Sequence, residues 1–295
     1  LRANLRADGL FHTYHQLEFA EEPAALRLHP LQLMLEGQVA VLGSDLLTPA
    51  EAVKLLSALR RSVLYRPDQH SYLLYPDRVL PGFLERNRVP AGAVAGCPLL
   101  AQMHATGDPR LIVRDAEGAY RFAPDLVNAA ALDAQLAALA AEPRWAAVVA
   151  ADALRVRALY ETVFRHRAFT GRSGSMFGYE GLGCTYWHMV AKLLVAVQEN
   201  LVAAEAVGAR ETAALADHYY DIRAGLGFNK SPALYGAFPT DPYSHTPGHA
   251  GAQQPGMTGQ VKEEILTRLG ELGVQIADGK LAFRPSFLRA EEFTT

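Results

Sequence analysis

The sequence holds only two cysteines, Cys97 and Cys184, and neither sits in a CxxC or other metal-ligand spacing. A disulfide framework is therefore not expected, and each thiol reads as a small buried hydrophobe. No run approaches the roughly 20 apolar residues that span a bilayer: Asp152 interrupts 145–154, and Lys192 interrupts 189–197. A basic block is also missing. The 28 basic and 31 acidic residues give a net charge of -3, which disfavours nucleic acid as a partner. GxxxxGK[ST] and HExxH do not occur, nor does a signal-peptide h-region, so no P-loop, zinc-protease or organic-cofactor chemistry is expected. The chain opens at Leu1, without methionine and inside an alternating pattern. It is read as a piece lacking its N-terminal portion, with cytoplasmic residence favoured.

What is present is a globular composition, 50% hydrophobic, ample for a sizeable core. Leu31 to Leu42 is an apolar run of helical length. Thr48-Pro49-Ala50-Glu51 reads as a capping box with proline at the first helical position. Pro98 opens a helix that Gly107 ends. Leu111 to Phe122 reads as a β-hairpin around Asp115-Ala116-Glu117-Gly118, and Asp278-Gly279 as a two-residue hairpin turn. From Pro124 the alanine-rich segments favour helix. The pattern predicts a mainly α fold with small peripheral β-hairpins. Its expected division is a helical portion over 1–272 and a β-hairpin tail over 273–295.

Two segments look like site segments. Ser231 to Gly259 is rich in proline and glycine, carries aromatics beside Asp241, His245, His249, Gln253 and Gln254, and has no run long enough to read as helix or strand. Loops of that length are usually functional or disordered, and its few charges argue for order. Thr170 to Met189 holds Glu180 between Gly178 and Gly181, where glycine lets backbone approach a ligand. Glu180 is the candidate proton donor; its bland reading is a carboxylate favouring a helix N-terminus. Asp241, stiffened by Pro239 and Pro242, is the second candidate carboxylate or else a turn residue. Asp221 reads more simply as a local charge on a solvated helix face.

Tyr179, Trp187 and Tyr243, with the amides Gln253 and Gln254, suit a sugar ring, whose CH face stacks while its hydroxyls hydrogen-bond. Arg172, Ser173 and Lys230 are candidates for an anion or sugar hydroxyls. His245 and His249 have H-x3-H spacing, but Thr246-Pro247-Gly248 argues against the helix that zinc would need. Hydrogen bonding to a polar ligand is the expectation, and no metal is. His12 and His15 lack a third ligand, and His188 reads as a histidine supporting the site or filling the core.

GYEGLGCTYWHMVAKLLVAVQE, KSPALYGAFPTDPYSHTPGHAGAQQPGMTGQVKEE and LGELGVQIADGKLAFRPSFL resemble the C-terminal part of large bacterial proteins related to the six-hairpin glycosidases. The closing pattern is also similar to the tail of glycoside phosphorylases with a helical barrel. The resemblance implies an (α/α)6 toroid of helical hairpins, present here in part. It also implies a general acid and base flanking a glycosidic bond, usually with inversion. The expected function is cleavage of an oligosaccharide by hydrolysis or phosphorolysis. A non-catalytic glycan-binding or scaffold domain and, more weakly, a lyase acting on uronic acids stay open beside it.

Overall fold

The computed structural model describes residues 2–20, 25–165, 183–248, 250–255, 259–286 and 288–293. Among them are eleven α-helices and small antiparallel pairings of strands, with about half of the chain helical. The contacts divide the chain into two units: 1–78 together with 181–295, and 79–180. The second is thus an insertion within the first, and these limits differ from the 272/273 boundary read from the sequence.

The first unit begins with a ribbon, β1 (His15–Ala20) and β2 (Ala25–Pro30), paired through Leu17↔Leu28 and Phe19↔Leu26. Helices α1 (Leu35–Leu42) and α2 (Pro49–Arg60) follow. The capping box at α2 forms as expected: Glu51 N–H donates to Thr48 Oγ1 at 3.3 Å, and Thr48 N–H donates to Glu51 Oε2 at 2.9 Å. A short hairpin, β3 (Tyr65–Arg66) and β4 (Ser71–Tyr72), closes this part.

The inserted unit contains α3 (Phe83–Arg86), α4 (Ala91–Ala95), α5 (Pro98–Thr106), the hairpin β5 (Ile112–Arg114) and β6 (Tyr120–Phe122), α6 (Ala129–Ala140) and α7 (Pro143–Phe164). Gly107 ends α5 in the left-handed region. The core gathers Leu99, Leu100, Met103, Phe122, Leu136, Trp145 and Val156. Two buried polar groups fix it. Asp152 accepts from Leu99 N–H at 2.9 Å, serving the α5 N-terminus from α7. The Asn87 side chain pairs both ways with the Phe122 backbone, at 2.9 and 3.0 Å.

The first unit resumes with β7 (Thr185–Tyr186), α8 (Trp187–Ala206), α9 (Thr212–Ala224), α10 (Pro232–Tyr235), β8 (Tyr243–Thr246), β9 (Gln253–Pro255), α11 (Gly259–Glu271) and the hairpin β10 (Val274–Ala277) and β11 (Lys280–Phe283). Its axis is α8, which packs against α1, α2, α9 and α11. Most of its side chains are therefore apolar around the whole circumference, as a central helix requires. Buried Gln198 donates to Thr267 O at 2.7 Å, and a Cβ on Gly270 would lie 2.2 Å from Gln198 Oε1, so a larger residue there would displace the Gln198 amide. Buried Glu271 accepts from Tyr219 Oη at 2.6 Å and pairs with Arg223 at 2.8 Å and with Arg268.

One expectation changes here. The segment 231–259, read without helix or strand, contains α10, started by the Ser231 cap, and β8 and β9, where β8 pairs with the distant β7 and β9 with β8. The start of the chain leads through Leu5↔Phe11 bridging into the β1–β2 ribbon. Among the described residues no barrel closes.

Candidate functional site

The three-stranded sheet β7–β8–β9 draws several of the candidate residues together. Thr185 pairs with Thr246 and Tyr186 with His245, while His245 and Tyr243 face Gln253 and Pro255 on the other edge. Two glycines allow this fold-back. Gly236 has φ +79, and a Cβ there would lie 2.2 Å from the Gly251 Cα, so the two backbones touch. Ala252 N–H then donates to Tyr235 O at 3.0 Å.

On this sheet the Tyr186 and His245 rings stack at 4.8 Å with planes 14° apart. His245 Nδ1 lies 2.9 Å from Ser244 Oγ, and Ser244 Oγ donates to Gln254 O at 2.8 Å. Burial holds the His245 imidazole below the usual histidine range, against a smaller opposing pull from Gln254. Gln253 and Gln254 are exposed beside it. Tyr243 is half-buried, its ring edge-on to Tyr235 at 6.1 Å.

A second line of groups leads from Tyr186 toward α11. Tyr186 Oη lies 3.3 Å from His188 Nδ1, and His188 Nε2 lies 3.8 Å from Glu263 Oε1. Burial lowers the His188 pKa, with Glu263 opposing. Burial also raises Glu264 above the usual carboxylate range. Glu263, Glu264 and Gln260 were not singled out from the sequence. Their only signal was an acidic pair one turn into a helix, which ordinarily marks a solvated face.

Other candidates are placed differently. Trp187 is 0% exposed: its indole N–H donates to Thr246 Oγ1 at 2.8 Å, Tyr235 meets it edge-on at 5.5 Å, and Lys230 Nζ lies 4.5 Å from the ring centroid. It offers no face to a sugar and is a core residue. Lys230 is 8% exposed and its Nζ donates to Gln69 O and, at 3.3 Å, to Gln69 Oε1. Its ammonium is committed to the interior rather than offered to an anion, and burial brings its pKa down to about 8.

Asp241 sits in an exposed turn closed by its own N–H donating to Phe238 O at 3.0 Å. Asp221 pairs with Arg60 at 3.1 Å and His70 at 2.9 Å, tying α2 and the β3–β4 turn to α9. Glu180, Arg172, Ser173, Tyr179 and His249 lie outside the described residues. Among the described residues no group of three or more His, Cys, Asp or Glu is placed to hold a metal, and no helix is long and apolar enough to cross a membrane. An open cleft of about 500 Å³ lies elsewhere in the same unit, lined by Glu205, Arg210, Asp217, Tyr220 and Arg289 among others, and holds none of the candidates.

Comparison with curated proteins finds no match. Residues 80–167 match a family model described as GH149 phosphorylase insertion domain 2, less than half of the chain, and the limits fall almost on those of the inserted unit. That match relates the inserted unit to carbohydrate-active phosphorylases.

Proposed function

We propose that this chain is part of a carbohydrate-active enzyme of the glycoside phosphorylase kind, cleaving a glycosidic bond of an oligosaccharide by acid and base catalysis. The observation that carries the reading is the match of 80–167 to a phosphorylase insertion domain, which interrupts in sequence a unit that brings Tyr186, Tyr243, His245, Gln253 and Gln254 onto one small sheet. In this reading the helices of the host unit belong to a helical toroid. Glu180 donates the proton to the leaving oxygen, and Asp241 acts as base or orients substrate. The Tyr186–His245 stack supports the sugar ring, while Gln253, Gln254 and His249 bind its hydroxyls. Arg172 and Ser173 take phosphate.

The test is a screen of oligosaccharides with and without inorganic phosphate, comparing the parent protein with Glu180→Gln and Asp241→Asn. Loss of a general acid or base lowers kcat by at least about 100-fold while binding persists, and dependence of sugar release on phosphate distinguishes phosphorolysis from hydrolysis. The match falls on an insertion domain and not on residues that carry chemistry. That favours a non-catalytic glycan-binding domain as the second reading. Sugar binding without turnover in the parent protein would establish it in place of the first.

A further inference from the structure

Arg66, on β3, is 8% exposed, and its guanidinium is shared between two places far apart in the sequence. Nε and Nη2 donate to the Asp68 carboxylate, each at 2.9 Å. Nη1 donates to Thr246 O at 3.0 Å and to Pro247 O at 3.2 Å, where β8 ends. A charge taken out of water is costly unless its hydrogen bonds are made, and here a rigid five-donor fork meets a carboxylate and two carbonyls at once. The arrangement is a clamp: the carboxylate fixes the plane of the guanidinium, and that plane fixes the end of the strand. The Asp68 side chain is 62% exposed, so the clamp is fastened from the solvent side.

The strand end that Arg66 holds belongs to the sheet that carries the candidate residues. Thr246 faces Thr185 on β7 and accepts the Trp187 indole N–H on its hydroxyl at 2.8 Å. Its neighbour His245 is the residue stacked on Tyr186. At Pro247 the chain leaves the sheet, and Arg66 reaches the carbonyls on both sides of that exit. The rest of the β3–β4 turn is tied elsewhere: Gln69 Nε2 donates to Leu234 O at 3.0 Å, and His70 Nε2 lies 2.9 Å from Asp221 Oδ1. A shift of the turn therefore cannot make up for a lost fork, because its other contacts hold it in place.

We infer that Arg66 is a positioning residue of the candidate sugar site: it holds β8 in the placement that sets His245 against Tyr186 and leads the chain on toward Gln253 and Gln254. The inference rests on the carbohydrate reading above. It adds a residue that touches no sugar and acts on binding through β8.

The test compares the full chain with Arg66→Lys, Asp68→Asn and Thr48→Ala, the last weakening the same unit at the α2 cap and leaving β8 untouched. Arg66→Lys keeps the positive charge that Lys230 experiences and removes the planar fork, so it separates geometry from charge. Calorimetric titration with a panel of gluco-disaccharides gives the affinity. The imidazole proton resonances of His245, assigned by their loss in His245→Gln, report the stack, because the Tyr186 ring displaces them. In Arg66→Lys sugar affinity is expected to fall about tenfold or more, with the His245 resonances moving toward those of an unstacked imidazole. Asp68→Asn moves both in the same direction by less, and Thr48→Ala moves neither. Unchanged affinity in Arg66→Lys and Asp68→Asn, with the parent protein binding sugar, overturns the inference alone. So does lost affinity with unmoved His245 resonances, or an equal loss in Thr48→Ala, which would make the effect one of stability. If Arg66→Lys does not fold, Asp68→Asn decides by the same two readouts. A parent protein that binds no disaccharide overturns the inference and the carbohydrate reading together.

Discussion

Lys230 gives the sharpest test at the level of a single residue. Its folded pKa is drawn down from 10.5 to about 8, first by burial and then by the neighbouring Arg66, with Asp68 opposing. Between those two values the unfolded chain holds a proton that the folded chain has released. Stability then rises as pH rises through the window; below it both forms are charged and the folded state bears the buried cation throughout. Urea midpoints at neutral pH and at about pH 10 should show this rise, and Lys230→Met should remove it. The difference between the two proteins is the readout, because burial raises the tyrosine pKa values at Tyr220 and Tyr235 and gives the opposite slope in both. A parallel pH profile in parent and variant would mean that Lys230 stays charged. Neither the burial of Lys230 nor that of Trp187 was legible in the sequence. A lysine near an aromatic segment reads as a ligand-facing cation, and only the approach of Gln69, Tyr235 and Thr246 encloses the two side chains.

Elements carried by local chemistry were readable, and those carried by a distant partner were not. The Thr48 capping box, the Gly107 stop and the Asp278-Gly279 turn, with both residues at positive φ, each follow from a few adjacent residues. Strand β8 needed β7 as a partner edge and β9 needed β8, and the α9 terminus needed His70. At that terminus a Cβ on Gly225 would lie 1.9 Å from the His70 carbonyl oxygen, while His70 itself is held at φ +46. Two substitutions separate these cases. Thr48→Ala should cost about 1 kcal/mol, the loss of a cap. Gly225→Ala should cost about 2 kcal/mol or more, because backbone and not a flexible side chain must yield. Urea unfolding of both variants decides it; a Gly225→Ala protein as stable as the Thr48→Ala one would show that the α9 end gives way freely.

At the level of the whole molecule, the inserted unit is expected to be separable from its host. The two cores share no residue: one draws on positions 10–73 and 187–252, the other on 89–163. The host also holds its own two crossing points together. Leu74 N–H donates to Cys184 O at 2.9 Å, and a Cβ on Gly183 would lie 2.7 Å from Asp77 Oδ1, so the chain leaves and re-enters the host at neighbouring places. Adjacent ends are what allow a domain to be inserted, or removed, without breaking the host core. Replacing 79–182 by a short Gly-Ser linker should therefore leave a host that unfolds cooperatively, with a urea m-value reduced in proportion to the surface removed. The 79–167 segment alone should show its own cooperative transition. Loss of near-ultraviolet circular dichroism in the linker variant would instead make the insertion a structural part of the host core. Sugar turnover is lost in this variant whatever its fold, because the deletion also removes Glu180, Arg172 and Ser173, so the unfolding transition and not activity is the readout.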